Sequence, residues 1–153
     1  MKRLLLLILT FALLMTITAC VVQTRQDNVL DSLGKYENKQ FWAHGEFQDY
    51  TDFGKYSYSS ISIDQNNYFT MVSAAHIETI HAFIDDFEGW VDTFRNNDPN
   101  DELALNYSFD RSIIDATDYF YIYEGKNYSK FGCYDIWFFD SQTKVLYYFH
   151  NNI

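Results

Sequence analysis

Hydrophobic residues recur at helical spacing in residues 74–95. The apolar positions are three or four residues apart and form one broad stripe, made of Ile77, Ile80, Ile84, Phe87, Val91 and Phe94. Ser73, just before this stretch, is a residue type that caps helix N-termini. We therefore predict a long amphipathic helix. Its bulky stripe and the interior Gly89 favour packing on a sheet over a coiled coil.

The segment before this helix alternates between apolar and polar residues, as strands do. The alternation runs from Phe41 to about Ile63 and slips in phase at Ser59 and Ser60, which predicts a bulge or bend there. The composition of residues 64–67 predicts a turn, and residues 68–72 a short strand.

The segment after the helix begins with a loop around Pro99, for which we expect a following strand at residues 103–109. Three aromatic-rich strands come next, at about residues 119–123, 128–139 and 145–150, and residues rich in Asp, Gly and Asn separate them. Such a series predicts consecutive hairpins.

These elements together predict an α+β fold for a single domain at residues 31–153. Its sheet is mostly antiparallel and aromatic-rich, and one long amphipathic helix packs on it. The nearest alternative is a helix packed in a closed or cone-shaped sheet. Tyr, Phe and Trp make up 20% of the chain, which suits a sheet because cross-strand aromatic pairs stabilise strands.

The first residues have the order of an export signal. Lys2 and Arg3 precede an apolar run, and Ile17, Thr18 and Ala19 stand directly before Cys20. This pattern resembles the lipobox of bacterial lipoproteins. The resemblance implies cleavage after residue 19 and a diacylglyceryl group on Cys20. Residues 20–30 would then form a tether from the lipid anchor to the domain.

The alternative for this segment is an uncleaved membrane helix, because residues 4–22 are nearly long enough to span a bilayer. Lys2 and Arg3 would stay in the cytoplasm, so both interpretations place the domain outside it. Val21 rather than Asp follows Cys20. The lipoprotein resemblance therefore implies the outer membrane in a cell with two membranes, and otherwise the outer leaflet of the cell membrane.

The chain is acidic, with a formal net charge of −10. Cleavage would remove the positive charges of Lys2 and Arg3, giving −10 − 2 = −12 before the termini are counted. This charge argues against nucleic acid as a partner, since nucleic acid requires a basic surface. It is compatible with a solvated acidic surface or with a cationic partner. Lipidation of Cys20 would leave Cys133 as the only thiol, and we expect it to be a buried small residue.

Known catalytic and metal-binding motifs fail on spacing. His76 and His81 are five residues apart, whereas two zinc ligands on one helical face are four apart. Asp98, Asn100 and Glu102 begin like a calcium loop, but the glycine and the final glutamate of that loop are absent. We therefore predict no metal, no cofactor and no enzymatic activity.

A concentration of aromatic and polar residues around the first predicted strands provides candidate binding residues. They are Trp42, His44, Asp49, Tyr50, Tyr56 and Tyr58. Tyrosine and tryptophan supply rigid contact area at interfaces. Our leading interpretation is a membrane-anchored, non-catalytic lipoprotein that binds a protein or peptide partner. The alternatives are an exported binder of glycans or small ligands, and an enzyme of unknown chemistry.

Overall fold

The structure is a computed structural model that describes residues 24–46, 49–125 and 131–152. The predicted signal peptide, the lipidation site at Cys20 and the start of the tether lie outside the described residues. The chain divides into two compact units, Met1–Asp31 and Ser32–Ile153.

The described part of the first unit is helical. Helix α1 (Arg25–Leu33) starts with reciprocal capping, in which the Thr24 hydroxyl accepts from the Asp27 N–H (3.1 Å) and the Asp27 carboxylate accepts from the Thr24 N–H (3.0 Å). Helix α1 therefore covers about half of the segment for which we expect a tether. A helix advances about 1.5 Å per residue, less than half the rise of an extended chain, so these residues span a shorter distance than an extended segment would.

Helix α1 ends just before Gly34. Gly34 has a φ of 80°, a backbone conformation that favours glycine and stops the helix.

The second unit is built on a six-stranded sheet in which every pairing is antiparallel. The strands are β1 (Asn38–Glu46), β2 (Asp49–Ser57), β3 (Thr70–Met71), β4 (Tyr119–Glu124), β5 (Cys133–Asp140) and β6 (Val145–Asn152). Their order is β1-β2-β6-β5-β4-β3, with β1 and β3 at the edges. This confirms the predicted α+β fold with an antiparallel sheet, and among the described strands the sheet does not close on itself.

One face of this sheet is covered by helix α2 (Ala74–Asn97), which confirms the predicted long helix and Ser73 as its N-cap. The Ser73 N–H is satisfied by Nδ1 of His76 at 3.3 Å. The apolar stripe of α2 packs against β2, β5 and β6, for example Phe87 against Phe149 with ring centroids 5.3 Å apart. Burial of this stripe is the main stabilising contribution of the helix.

Three local predictions differ from the structure. Residues 103–109 are not a strand, because Asp101 accepts from the Ala104 N–H (2.8 Å) and starts the short helix α3 (Glu102–Asn106). Ile63 belongs to a 3-10 turn, Ile63–Gln65, and the strand expected at residues 68–72 is reduced to β3. The alternating segment that begins at Phe41 forms the hairpin of β1 and β2, which ends at Ser57.

The hairpin between β5 and β6 confirms the predicted turn. The Asp140 carboxylate accepts from the Gln142 N–H (2.8 Å) and the Thr143 hydroxyl (2.6 Å), and Lys144 has a φ of 60°. Within residues 24–46, 49–125 and 131–152, no helix has both the length and the apolar composition to cross a membrane.

Candidate functional site

The sheet face opposite α2 carries two neighbouring rows of side chains that run across the strands. Strand pleating places alternate residues on this face, and the register aligns them. The first row, here called the aromatic row, contains Phe41, Gly54, Tyr148, Trp137 and Tyr121. The second row, here called the polar row, contains Ala43, Asp52, His150, Asp135 and Tyr123.

The aromatic row is a continuous series of ring contacts. Ring centroids are 5.3 Å apart for Tyr121 and Trp137, 4.9 Å for Trp137 and Tyr148, and 6.5 Å for Phe41 and Tyr148. The last pair meets across Gly54, where an added Cβ would lie 3.2 Å from the Phe41 ring and 3.0 Å from the Tyr56 ring. Glycine at this position therefore allows the row to extend to the edge strand β1.

In the polar row, His150 is held by Asp135 on the neighbouring strand. His150 Nδ1 lies 2.6 Å from Asp135 Oδ1, and the Tyr148 hydroxyl donates to the same oxygen at 3.0 Å. All three residues are buried. A carboxylate that is hydrogen-bonded to Nδ1 fixes the orientation of the imidazole. Nε2 is then the ring nitrogen that can interact with another group.

His150 Nε2 has no hydrogen-bond partner in the described part of the chain, although it is fully enclosed. A buried polar atom without a partner costs about 1–3 kcal/mol, so an unpaired nitrogen marks a site under strain or with a role. The ring of Tyr50 stacks on the imidazole at 4.6 Å, and Tyr50 is 36% exposed. Tyr50 thus covers one side of His150 while itself facing solvent.

His150 lies between two aspartates, with Asp135 on β5 on one side and Asp52 on β2 directly opposite it on the other side. Asp52 is 7% exposed, and within the described segments its carboxylate makes no hydrogen bond or ion pair. Burial raises its pKa to about 6; the charge of His150 opposes this rise and that of Asp135 adds to it. The Asp52 oxygens are not among the fully enclosed polar atoms, so solvent still reaches them.

A carboxylate-held histidine with a second carboxylate beside it suits either proton transfer or the binding of a cationic group. Among the described residues, no group of three or more His, Cys, Asp or Glu side chains is placed to hold a metal ion.

Cys133 lies on the same sheet face, two residues before Asp135 on β5. Its side chain is half-buried. The expectation of a buried cysteine is therefore wrong, because Cys133 is the first residue of β5 and lies at the end of the strand.

The six predicted binding residues do not form one exposed face. Trp42 and His44 lie on the α2 side, where Trp42 stacks on Phe53 (5.8 Å) and His44 on Phe94 (3.7 Å). His44 Nδ1 also lies 2.5 Å from Asp101, so it joins β1 to the start of α3.

The remaining four candidates are on β2 or just after it. Tyr50 is exposed on the opposite face, whereas Tyr56 (0% exposed) and Tyr58 (4%) are buried. The backbone of Asp49 begins β2, and its side chain lies outside the described residues. Pleating thus separates residues that are close in the sequence, and only Tyr50 belongs to the polar site described above.

Sequence reasoning missed Asp52, Asp135 and His150, which come from three strands. One signal was present, since Asp135 is the only charged residue in the apolar run from residue 131 to 139. A charge in such a run is rarely buried without a partner, and His150 is that partner. The sequence does not identify His150 as that partner, because the residue that faces Asp135 is set by the register of β5 and β6.

The fold and site together define an α+β domain with a helix on one sheet face and a polar, partly exposed site on the other. No protein-family model, curated protein or solved structure matches this chain.

Proposed function

We propose that this chain is a lipid-anchored, extracytoplasmic module that binds a cationic protein or peptide partner and carries out no catalysis. The observation that carries the proposal is the unpaired carboxylate of Asp52, which solvent reaches, next to the exposed ring of Tyr50. Acidic and aromatic groups in one place recognise positively charged partners.

The distribution of charge supports this role for Asp52 in particular. Two exposed acidic side chains are already paired, Asp85 with Arg111 and Asp92 with Arg95, each at 2.5 Å. Such exposed pairs contribute little to recognition because their charge is neutralised and screened. The net charge of −10 would also attract a cationic partner from a distance.

The proposed location depends on Cys20 and the sequence before it. If Cys20 carries the lipid, two acyl chains hold the domain permanently at the outer leaflet. Mass spectrometry of the native protein tests this directly. We expect a mature chain that begins at a diacylglyceryl-modified Cys20, and an intact N-terminal methionine peptide would contradict it.

A small ligand or glycan has weaker support. A polar pocket of about 220 Å³ lies among Ser32, Ser62, Gln65, Asn66, Asn67 and Tyr68. This volume is below the range of about 300–1,000 Å³ that is usual for ligand sites. The Asn66 side chain also donates to the Ser32 hydroxyl at 2.9 Å within this pocket.

Site-specific photocrosslinking in cell envelopes tests the binding role. A photoreactive residue replaces Tyr50 in one variant and Leu105 in a matched control, since Leu105 is 65% exposed on α3 and away from the polar row. We expect a basic partner to crosslink from position 50 and not from position 105, with lower yield at high salt. Equal yields at both positions, or a yield indifferent to salt, would contradict the proposal.

A further inference from the structure

We infer that Asp52, Tyr50 and Nε2 of His150 form a binding site for a primary ammonium group, supplied by a lysine side chain or a free amino terminus. This inference rests on the proposed function, because it names the group of the cationic partner that is recognised. It is carried by two unpaired polar groups, the Asp52 carboxylate and His150 Nε2, on adjacent strands of one sheet face.

The three residues are neighbours on one face of the sheet. Asp52 and His150 are directly opposite each other in the register of β2 and β6, and Tyr50 is two residues from Asp52 on the same face. Tyr50 also stacks on the His150 ring at 4.6 Å. A small group that contacts Asp52 from the solvent side is therefore beside the Tyr50 ring and close to the imidazole.

The available atoms fit an ammonium group in number and type. Because Nδ1 of His150 is hydrogen-bonded to a carboxylate, it carries the proton when the imidazole is neutral, and Nε2 is then an acceptor. The ammonium group binds this neutral form, since a charged imidazole would repel it. Asp52 supplies acceptors as well. An ammonium group has three donors and no acceptor, so it satisfies both residues at once, and the Tyr50 ring adds a cation–π contact.

Other cations fit less well. A guanidinium group is a wide, flat fork that pairs best with both oxygens of one carboxylate and would not reach an enclosed ring nitrogen. Lys39, whose charge acts on Asp52, does not occupy this position, because its Nζ lies over the rings of Phe41 (4.8 Å) and Tyr56 (5.6 Å).

Access to His150 depends on Tyr50. Nε2 is enclosed, so a neighbouring side chain must move before an ammonium group can reach it, and we infer that this side chain is Tyr50, which stacks on the imidazole. Nothing in the described residues holds the Tyr50 hydroxyl by a hydrogen bond, and the side chain is 36% exposed. Rotation of this side chain therefore breaks one ring contact and leaves the sheet intact.

Binding of short peptides to the full mature chain in detergent micelles tests the inference by calorimetry. The probes are blocked tripeptides with a central lysine, acetyl-lysine or arginine, and a trialanine amide with a free amino terminus. We expect the lysine and free-amine probes to bind, the acetyl-lysine probe not to bind, and the arginine probe to bind at least about fivefold more weakly than the lysine probe. The two ammonium probes show which source the site prefers.

Asp52→Asn and Glu78→Gln are the matched variants, because each removes one negative charge and Glu78 is exposed on α2. We expect Asp52→Asn to weaken lysine-probe binding by about tenfold or more, and Glu78→Gln by less than about twofold. Tyr50→Leu, which keeps a side chain over His150 but no aromatic ring, should weaken it by about threefold or more.

Equal losses in Asp52→Asn and Glu78→Gln would overturn the inference and show general acidic attraction instead. Equal affinity for the lysine and arginine probes would overturn the selectivity for ammonium. The proposed function has a separate readout. A partner that still crosslinks from position 50 in the Asp52→Asn variant would contradict the ammonium site but support the binding role. Ammonium binding without any crosslinked partner would support the ammonium site but contradict the proposed function.

Discussion

Replacing Asp52 with Asn is expected to stabilise the folded protein at neutral pH and to leave its stability at pH 4 nearly unchanged. Asp52 is buried without a hydrogen bond or ion pair in the described residues, and its pKa rises from 3.8 to about 6. The folded protein therefore binds this proton more tightly than the unfolded chain does. As a result, stability falls as the pH rises from about 4 to about 6, and the loss is complete above that range.

The size of the effect follows from the pKa difference of about two pH units. At about 1.4 kcal/mol per unit, the upper limit is about 3 kcal/mol. Because solvent still reaches the carboxylate oxygens, screening reduces the penalty, and we expect a gain of about 1–2 kcal/mol at pH 7.5. Asparagine has nearly the shape of a protonated aspartate, so packing should change little.

Urea denaturation at pH 4 and at pH 7.5, followed by tryptophan fluorescence, measures this difference. Glu78→Gln is the control, since Glu78 is exposed and its replacement should change stability by less than about 0.5 kcal/mol at both pH values. If Asp52→Asn lowers stability at pH 7.5, or has the same effect at both pH values, then Asp52 is not the uncompensated buried charge described above.

Three further predictions concern the helix, the aromatic row and the polar site. Gly89→Ala should raise the free energy of unfolding in urea by about 1 kcal/mol, because alanine favours the helix and this exposed position has open space for a methyl group. An unchanged free energy of unfolding would contradict the open space at this position. Gly54→Ala should destabilise it by about 1–3 kcal/mol and alter the near-UV circular dichroism, since the added methyl group would meet the Phe41 and Tyr56 rings; wild-type stability would show that the rings move freely. Lysine-probe binding should weaken as the pH falls below about 6, because Asp52 then takes up a proton. The other titratable groups around this site are Asp135, His150, Tyr148, Cys133 and Lys39. Calorimetry between pH 5 and pH 8 measures the change, and an unchanged affinity would contradict the prediction.

Much of the fold could be predicted because its elements have strong periodic patterns. The stripe of α2 is long enough to distinguish a helix from a strand, and the alternating aromatics of β4 and the turn at Asp140 define the later hairpins. Helix α3 was mistaken for a strand because it has only five residues, too few for a helical period to show. Its start depends on the single capping bond from Asp101.

The site was much less predictable than the fold. Asp52, Asp135 and His150 are far apart in the sequence, and they meet only because β6 pairs with β2 on one side and β5 on the other. Register is set by turn geometry and by packing of a whole face, so a single sequence does not specify it. Tyr50 was identified as an exposed aromatic, but its contact with His150 depends on that same register.

The position of β6 also bears on when this domain can fold. Every other strand precedes β6 in the chain, yet β6 lies in the middle of the sheet and joins the β1–β2 hairpin to the β4–β5 hairpin. Until residues 145–152 have been synthesised, the two hairpins cannot pair with each other through backbone hydrogen bonds. The six-stranded sheet can therefore form as one unit only after the last of its strands has been made.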